Sequence, residues 1–112
     1  MVIKKIFIIT SILLASLTVL ASAGKAETHE RFTMLDVGQG DAALVESGDQ
    51  TVLIDAGLPE ADVSKKLYER IGKKQLDVLV MTHQDYDHIG GMVAVIRSHT
   101  PQVMLWSGGE IT

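Results

Sequence analysis

The chain has 112 residues, ten basic against fourteen acidic side chains for a formal charge of −4, and no cysteine. Without cysteine there are no disulfides, no thiolate metal ligands and no cysteine nucleophile, and any zinc site is confined to nitrogen and oxygen donors. The acidic balance offers no surplus of positive charge to meet phosphate, so affinity for nucleic acid cannot rest on the overall charge of these residues.

At the N-terminus Lys4 and Lys5 precede an uncharged apolar stretch from Ile6 to about Leu20, which ends in Ala21-Ser22-Ala23. These are the basic, apolar and small-residue parts of a secretory signal peptide. Residues 1–23 are expected to be removed, leaving a secreted chain that starts at Gly24, or at Glu27 if Gly24-Lys25-Ala26 is the cleavage signal. Loss of Lys4 and Lys5 leaves eight basic against fourteen acidic residues, a charge of −6. After cleavage no stable membrane partner is expected. The competing reading is an uncleaved anchor, because ~20 apolar residues can span a bilayer. No cysteine follows the apolar run, which excludes a lipoprotein anchor.

Residues 24–30 are polar and read as a mobile lead-in, with His29 solvated. Arg31 to Asp36, Ala42 to Glu46 and Gln50 to Ile54 are strand-like runs. Gly38-Gln39-Gly40-Asp41 and Ser47-Gly48-Asp49 lie between them as turns, so the segment predicts an antiparallel meander. After Gly57-Leu58-Pro59 the period changes. Val63, Leu67 and Ile71 recur every fourth residue, which predicts an amphipathic helix ending near Gly72. Its lysines are interrupted by Glu69 and read as a solvated exterior. Leu76 to Met81 is apolar but for Asp77 and predicts a central strand covered on both faces. Ile89 to Ile96 predicts a second helix and Val103 to Trp106 a last strand. His99, just before Thr100-Pro101, reads as a surface residue. Helix alternating with strand in this half indicates an α/β layered fold.

The chemistry concentrates in Thr82-His83-Gln84-Asp85-Tyr86-Asp87-His88-Ile89-Gly90-Gly91. Two histidines and two carboxylates within six positions are costly to bury together unless a divalent cation engages them; the bland alternative is a polar turn. In the extended turn after the strand, His83 and Asp85 should point the same way, because side chains alternate with a period of two. Asp87 and His88 should then project from the first turn of the helix into the same cleft. Gly90 and Gly91 let that helix start pack close to the sheet.

His83, Asp85, Asp87 and His88, followed by Ile89-Gly90-Gly91, resemble the H-x-[HD]-x-D-H signature of the metallo-β-lactamase fold hydrolases. Phe32 to Ala42, with its Asp36-Val37-Gly38-Gln39-Gly40-Asp41 hairpin, is similar to the extracellular hydrolase domain of ComEC-type competence (DNA-uptake) proteins. The same hairpin occurs in secreted phosphorylcholine esterases. Leu53-Ile54-Asp55-Ala56-Gly57 resembles the acidic motif that precedes the metal motif in this superfamily. The three motifs cover residues 31–106.

The resemblance implies a fold and a site. Residues 31–112 would be the N-terminal part of a four-layer αββα sandwich, preceded by the signal-peptide helix. His83 and Asp85 would serve one metal, and Asp87 and His88 the second, with Asp55 in a supporting position. Two zinc ions per complete domain are implied. Asp85 stands where most members have a histidine, which makes manganese or magnesium more plausible as alternatives. The implied chemistry is metal-assisted hydrolysis of a small-molecule or phosphodiester substrate, DNA included, with Asp87 orienting the water. A β-lactamase or thioesterase activity is the lesser enzymatic alternative. The later histidines and bridging aspartate of the family have no counterpart after His88 except His99 and Glu110. The chain is therefore expected to be a fragment, a truncated reading frame or a degenerate relative, inactive alone and at most a weak metal binder. In the Asp36 to Asp41 segment, either Gly38 and Gly40 simply relieve a tight hairpin or the segment, with Asp36 and Asp41, shapes a substrate entrance.

Overall fold

A computed structural model describes residues 28–108. The expected signal peptide, most of the lead-in and Glu110 lie outside the described residues.

Five strands form one sheet in sequence order: β1 (Glu30–Met34), β2 (Ala43–Ser47), β3 (Gln50–Ile54), β4 (Val78–Met81) and β5 (Val103–Trp106). The first three make the antiparallel meander, and β3–β4 and β4–β5 are parallel. Parallel neighbours need crossovers, and helices supply them. α1 (Val63–Ile71) joins β3 to β4, and α2 (Tyr86–Ile89) with α3 (Met92–His99) joins β4 to β5. Asp62 starts α1, accepting from the Lys65 N–H at 3.3 Å, as an N-cap side chain should. The second predicted helix is two pieces, divided at Gly90-Gly91. A Cβ on Gly90 would overlap Pro59, and one on Gly91 would overlap the Ala56 carbonyl. The chain can approach the end of β3 only with glycine there.

α1 and α3 pack on one face of the sheet. Val63 and Leu67 from α1 and Met92 and Val95 from α3 are buried over Leu44, Leu53 and Leu79. Asp77, the lone charge at the start of β4, is tied to the neighbouring strand: its carboxylate accepts from the Thr51 N–H at 2.6 Å and the Thr51 hydroxyl at 3.2 Å. The cationic face of α1 is solvated as expected, except that Arg70 reaches back to Glu46 on β2 at 3.1 Å.

One expectation is corrected. His99 is buried, 2% exposed, because it closes the end of the helical layer. Its Nε2 faces the Gly72 carbonyl at 3.2 Å, its Nδ1 faces the Ser98 hydroxyl at 2.7 Å, and its own carbonyl accepts from the Leu76 N–H. Among the described residues, β4 is covered by helices on one face: Leu79 is buried there, while Val78 and Val80 on the other side are half-buried. The register explains why. Across all five strands, Phe32–Val45–Val52–Val78–Val103 and Met34–Ala43–Ile54–Val80–Leu105 form two parallel apolar rows on the helix-free face. Among the described residues no second layer covers them.

Candidate metal centre

Three loops meet at one end of the sheet, beyond the carboxyl ends of β3 and β4. The hub is Asp55-Ala56-Gly57, directly after β3. The Asp55 N–H donates to the Val80 carbonyl at 2.9 Å, the Ala56 N–H to His88 at 2.7 Å and the Gly57 N–H to Asp41 at 3.0 Å, while the Gly91 N–H donates to Gly57 at 3.1 Å. Thus β4, the histidine loop, the β1–β2 loop and the start of α3 all hang on three residues. Asp55 has φ +61, a left-handed conformation that aspartate tolerates better than most side chains.

Asp55 is buried, and its carboxylate orders the histidine loop. It accepts from the Thr82 N–H at 2.9 Å, from the Thr82 hydroxyl at 2.5 Å and from His88 Nδ1 at 2.9 Å. Thr82 Oγ1 also lies 2.9 Å from His83 Nδ1. The hydroxyl has one hydrogen and gives it to the carboxylate, so it must accept from His83 Nδ1–H. Both imidazoles are thereby held with Nδ1 protonated, His88 directly and His83 through Thr82. In the neutral rings the lone pair is then on Nε2, the arrangement of a carboxylate–histidine–metal triad.

Each free Nε2 edge faces a carboxylate. His83 Nε2 is 3.4 Å from Asp85 Oδ2, and His88 Nε2 is 3.8 Å from Asp87 Oδ1. The two rings lie 3.7 Å apart between centroids, tilted by 53°. His83 is thus paired with Asp85 and His88 with Asp87, but the four do not close on one point, and Asp85 and Asp87 lie outside the group of donors that converges. Donor atoms of Asp55, His83 and His88 fall within 4.8 Å of one another. Asp55 is the poorest ligand of that trio, since both its oxygens already accept hydrogen bonds; its place is to orient. The set of nitrogens and carboxylate oxygens fits a divalent cation. The hydrogen bond to Asp55 raises the pKa of His88 above its usual value, with burial opposing and the charges of Asp55, Asp87 and Asp41 adding to the rise.

The β1–β2 loop forms the remaining wall. Asp41 Oδ2 is 3.8 Å from His88 Nδ1. Gly40, at φ +96, is pressed against the backbone of Asp87, where any Cβ would overlap the carbonyl oxygen. Asp36 stays out of the cluster; its carboxylate accepts from the Gly38 N–H in its own turn at 3.4 Å. His99 does not join either. It packs at the Leu76 end of β4, and the strand run from Leu76 to Thr82 separates it from the loop by roughly 20 Å at ~3.3 Å per residue. The linking role of Thr82 was not read from the sequence, although its hydroxyl stands directly before His83.

Comparison with known proteins agrees with this architecture. The family model described as metallo-beta-lactamase superfamily matches residues 35–105. The chain is 35% identical over 85 residues to ComE operon protein 3 of Bacillus subtilis (strain 168), covering 59% of this chain and 11% of that protein. It is 35% identical over 71 residues to competence protein ComA of Neisseria gonorrhoeae, covering 62% of this chain and 10% of that one. The chain thus spans about a tenth of the length of these relatives. With the match covering most of its length and the histidine loop in place, the chain belongs to the metallo-beta-lactamase superfamily, in its ComEC-like branch.

Proposed function

We propose that these residues are the front part of an exported, metal-dependent hydrolase of phosphodiesterase or nuclease type, with DNA among its candidate substrates. His83 and Asp85 would hold one cation, and Asp87 and His88 the other. The observation that carries the reading is the pair of imidazoles turned Nε2-outward by one buried carboxylate, each beside an aspartate. Zinc suits the nitrogens, while Asp85 in place of a histidine moves the set toward manganese. When bound, such cations lower the pKa of water from about 15.7 toward about 7 and stabilise charge on a phosphoryl oxygen. The protein's own contribution is orientation: Asp55 and Thr82 fix the rings, and Asp87, 29% exposed, presents a carboxylate at the mouth that can orient the attacking water.

The 112-residue chain by itself is expected to bind metal weakly and to show no appreciable turnover. A dinuclear site needs two cations about 3.5–4 Å apart, held by ligands from more than one loop. Here all four proposed ligands come from one loop. A non-catalytic relative with weak metal affinity is the second reading, supported by the convergence of Asp55, His83 and His88 without Asp85 and Asp87. Calorimetry with zinc and manganese tests the site: binding should be measurable and should fall in His83→Ala and His88→Ala. Equal heats for wild type and the double variant would refute the assignment. EDTA-sensitive hydrolysis of bis-p-nitrophenyl phosphate, lost in Asp87→Ala, would overturn the expected inactivity. Export is checked by mass spectrometry of the secreted product, which should begin at Gly24 or Glu27; recovery of Met1 from the membrane would establish an anchor.

A further inference from the structure

We propose that Asp41 is a positioning residue of the metal site: the β1–β2 loop holds its carboxylate behind His88, where its negative charge strengthens the grip of the outward Nε2 on a cation. The inference rests on His88 being a metal ligand, and it adds to that reading a residue from another loop.

Main-chain contacts put the carboxylate there. The Gly57 N–H donates to the Asp41 carbonyl at 3.0 Å, and the Leu35 N–H donates to the Ala42 carbonyl at 2.9 Å across the mouth of the loop. Gly40 lies so close to the Asp87 carbonyl that a Cβ would overlap it. Ala42 is fully buried in the core. Asp41 is thereby pinned by its backbone between the end of β3 and the first turn of α2, and its side chain is not needed to hold the loop. Asp36, the other carboxylate of the loop, accepts from the Gly38 N–H at 3.4 Å and shapes its own turn.

Two carboxylates therefore face His88 Nδ1, at distances that give them different tasks. Asp55 Oδ2, at 2.9 Å, accepts the ring hydrogen and fixes the orientation of the imidazole. Asp41 Oδ2, at 3.8 Å, is beyond hydrogen-bonding reach and acts through its charge. A negative charge on the Nδ1 side of the ring favours a cation on the Nε2 side by Coulomb attraction. The His88 side chain is only 13% exposed, so little water stands against the ring to weaken that attraction. The contribution of Asp41 adds to the orienting bond of Asp55 and leaves it in place.

Zinc affinity of the full chain, measured by calorimetry, tests the assignment. Asp41→Asn keeps the side-chain shape and the main-chain bond to Gly57 but removes the charge, and should weaken zinc about three- to tenfold, the size of one partly screened charge. Asp41→Glu should restore most of the affinity. Asp36→Asn removes the same charge from the other end of the loop and should stay within about twofold of wild type. A charge is screened by salt and a packing role is not. The ratio of wild-type to Asp41→Asn affinity should therefore shrink toward one as salt rises to ~1 M, where the Debye length is about 3 Å. Hydrogen exchange at the Gly57 amide, which reports closure of the loop, should be the same in both proteins. The proposal is overturned by wild-type affinity in Asp41→Asn, by an equal loss in Asp36→Asn, or by a ratio that salt does not move. Loss of protection at Gly57 in Asp41→Asn also overturns it, since the side chain would then be a prop for the loop. In each of these cases the wild type still binds zinc and the metal assignment stands, whereas a wild type that binds no zinc removes both. Should the asparagine variant misfold, Asp41→Ala provides the same comparison.

Discussion

Asp55→Asn isolates the orienting role of the buried carboxylate from its backbone role. Asparagine tolerates the left-handed φ of +61 at this position, so the change adds little backbone strain. One side-chain oxygen remains to accept from the Thr82 N–H. The other becomes an NH2 group facing two donors, the Thr82 hydroxyl and His88 Nδ1–H. Imidazole can escape this conflict by moving its proton to Nε2, which removes the lone pair beside Asp87. Loss of the acceptor beneath a metal-binding histidine typically costs 10–100-fold in affinity, or about 1.4–2.7 kcal/mol. A further ~2–3 kcal/mol of folding stability should go with the charge-assisted bond, because His88 is only 13% exposed and water replaces the partner poorly. Zinc titration by calorimetry gives the first quantity, denaturant unfolding without metal the second, and nitrogen chemical shifts of the His88 ring report the tautomer. Zinc affinity within twofold of wild type, together with an unchanged tautomer, would refute the argument.

Gly40→Ala should destabilise the chain by about 2–4 kcal/mol and weaken zinc binding, since a Cβ there displaces Asp87, whereas Gly38→Ala, at φ +67 with open space around it, should cost only ~1–2 kcal/mol and spare the metal. Thermal unfolding and calorimetry of the two variants separate strain from displacement. His99→Ala should cost roughly 2–4 kcal/mol by leaving a cavity and an unpaired Gly72 carbonyl, with zinc binding unchanged in the folded protein. In the metal-free chain the raised pKa of His88 makes its contribution to stability complete below the unfolded value of about 6.5 and progressively lost as pH rises through the higher folded value. The unfolding midpoint should accordingly fall over that window, and Asp55→Asn should flatten the fall.

Elements whose signal is local were legible in the sequence. Gln50 to Ile54 and Val103 to Trp106 read as strands and are strands, and α1 follows the spacing of Val63, Leu67 and Ile71. The histidine loop could be located because its four donors are adjacent in the chain. What escaped depends on partners far away in sequence. The split between α2 and α3 is imposed by the Ala56 carbonyl and Pro59 pressing on Gly90-Gly91, which no window around residue 90 contains. His99 looks like a helix-end surface residue until Gly72 and Leu76 close over it. The approach of Asp41 to His88 likewise needs the Gly57–Asp41 bond that draws the first loop across the sheet.

The shared anchor at Asp55 has a consequence for how this loop can change. One carboxylate serves His88 directly and His83 through a hydroxyl with a single hydrogen to give. Asp55 divides its accepting capacity between the two rings, so a change in the hydrogen bond to one alters the bond to the other. A substitution that tightens the grip at His88 is felt at His83 without touching it. A substitution at Asp55 or Thr82 therefore disturbs both histidines together, whereas Asp85 and Asp87, whose side chains lie outside the relay, can be changed without breaking it.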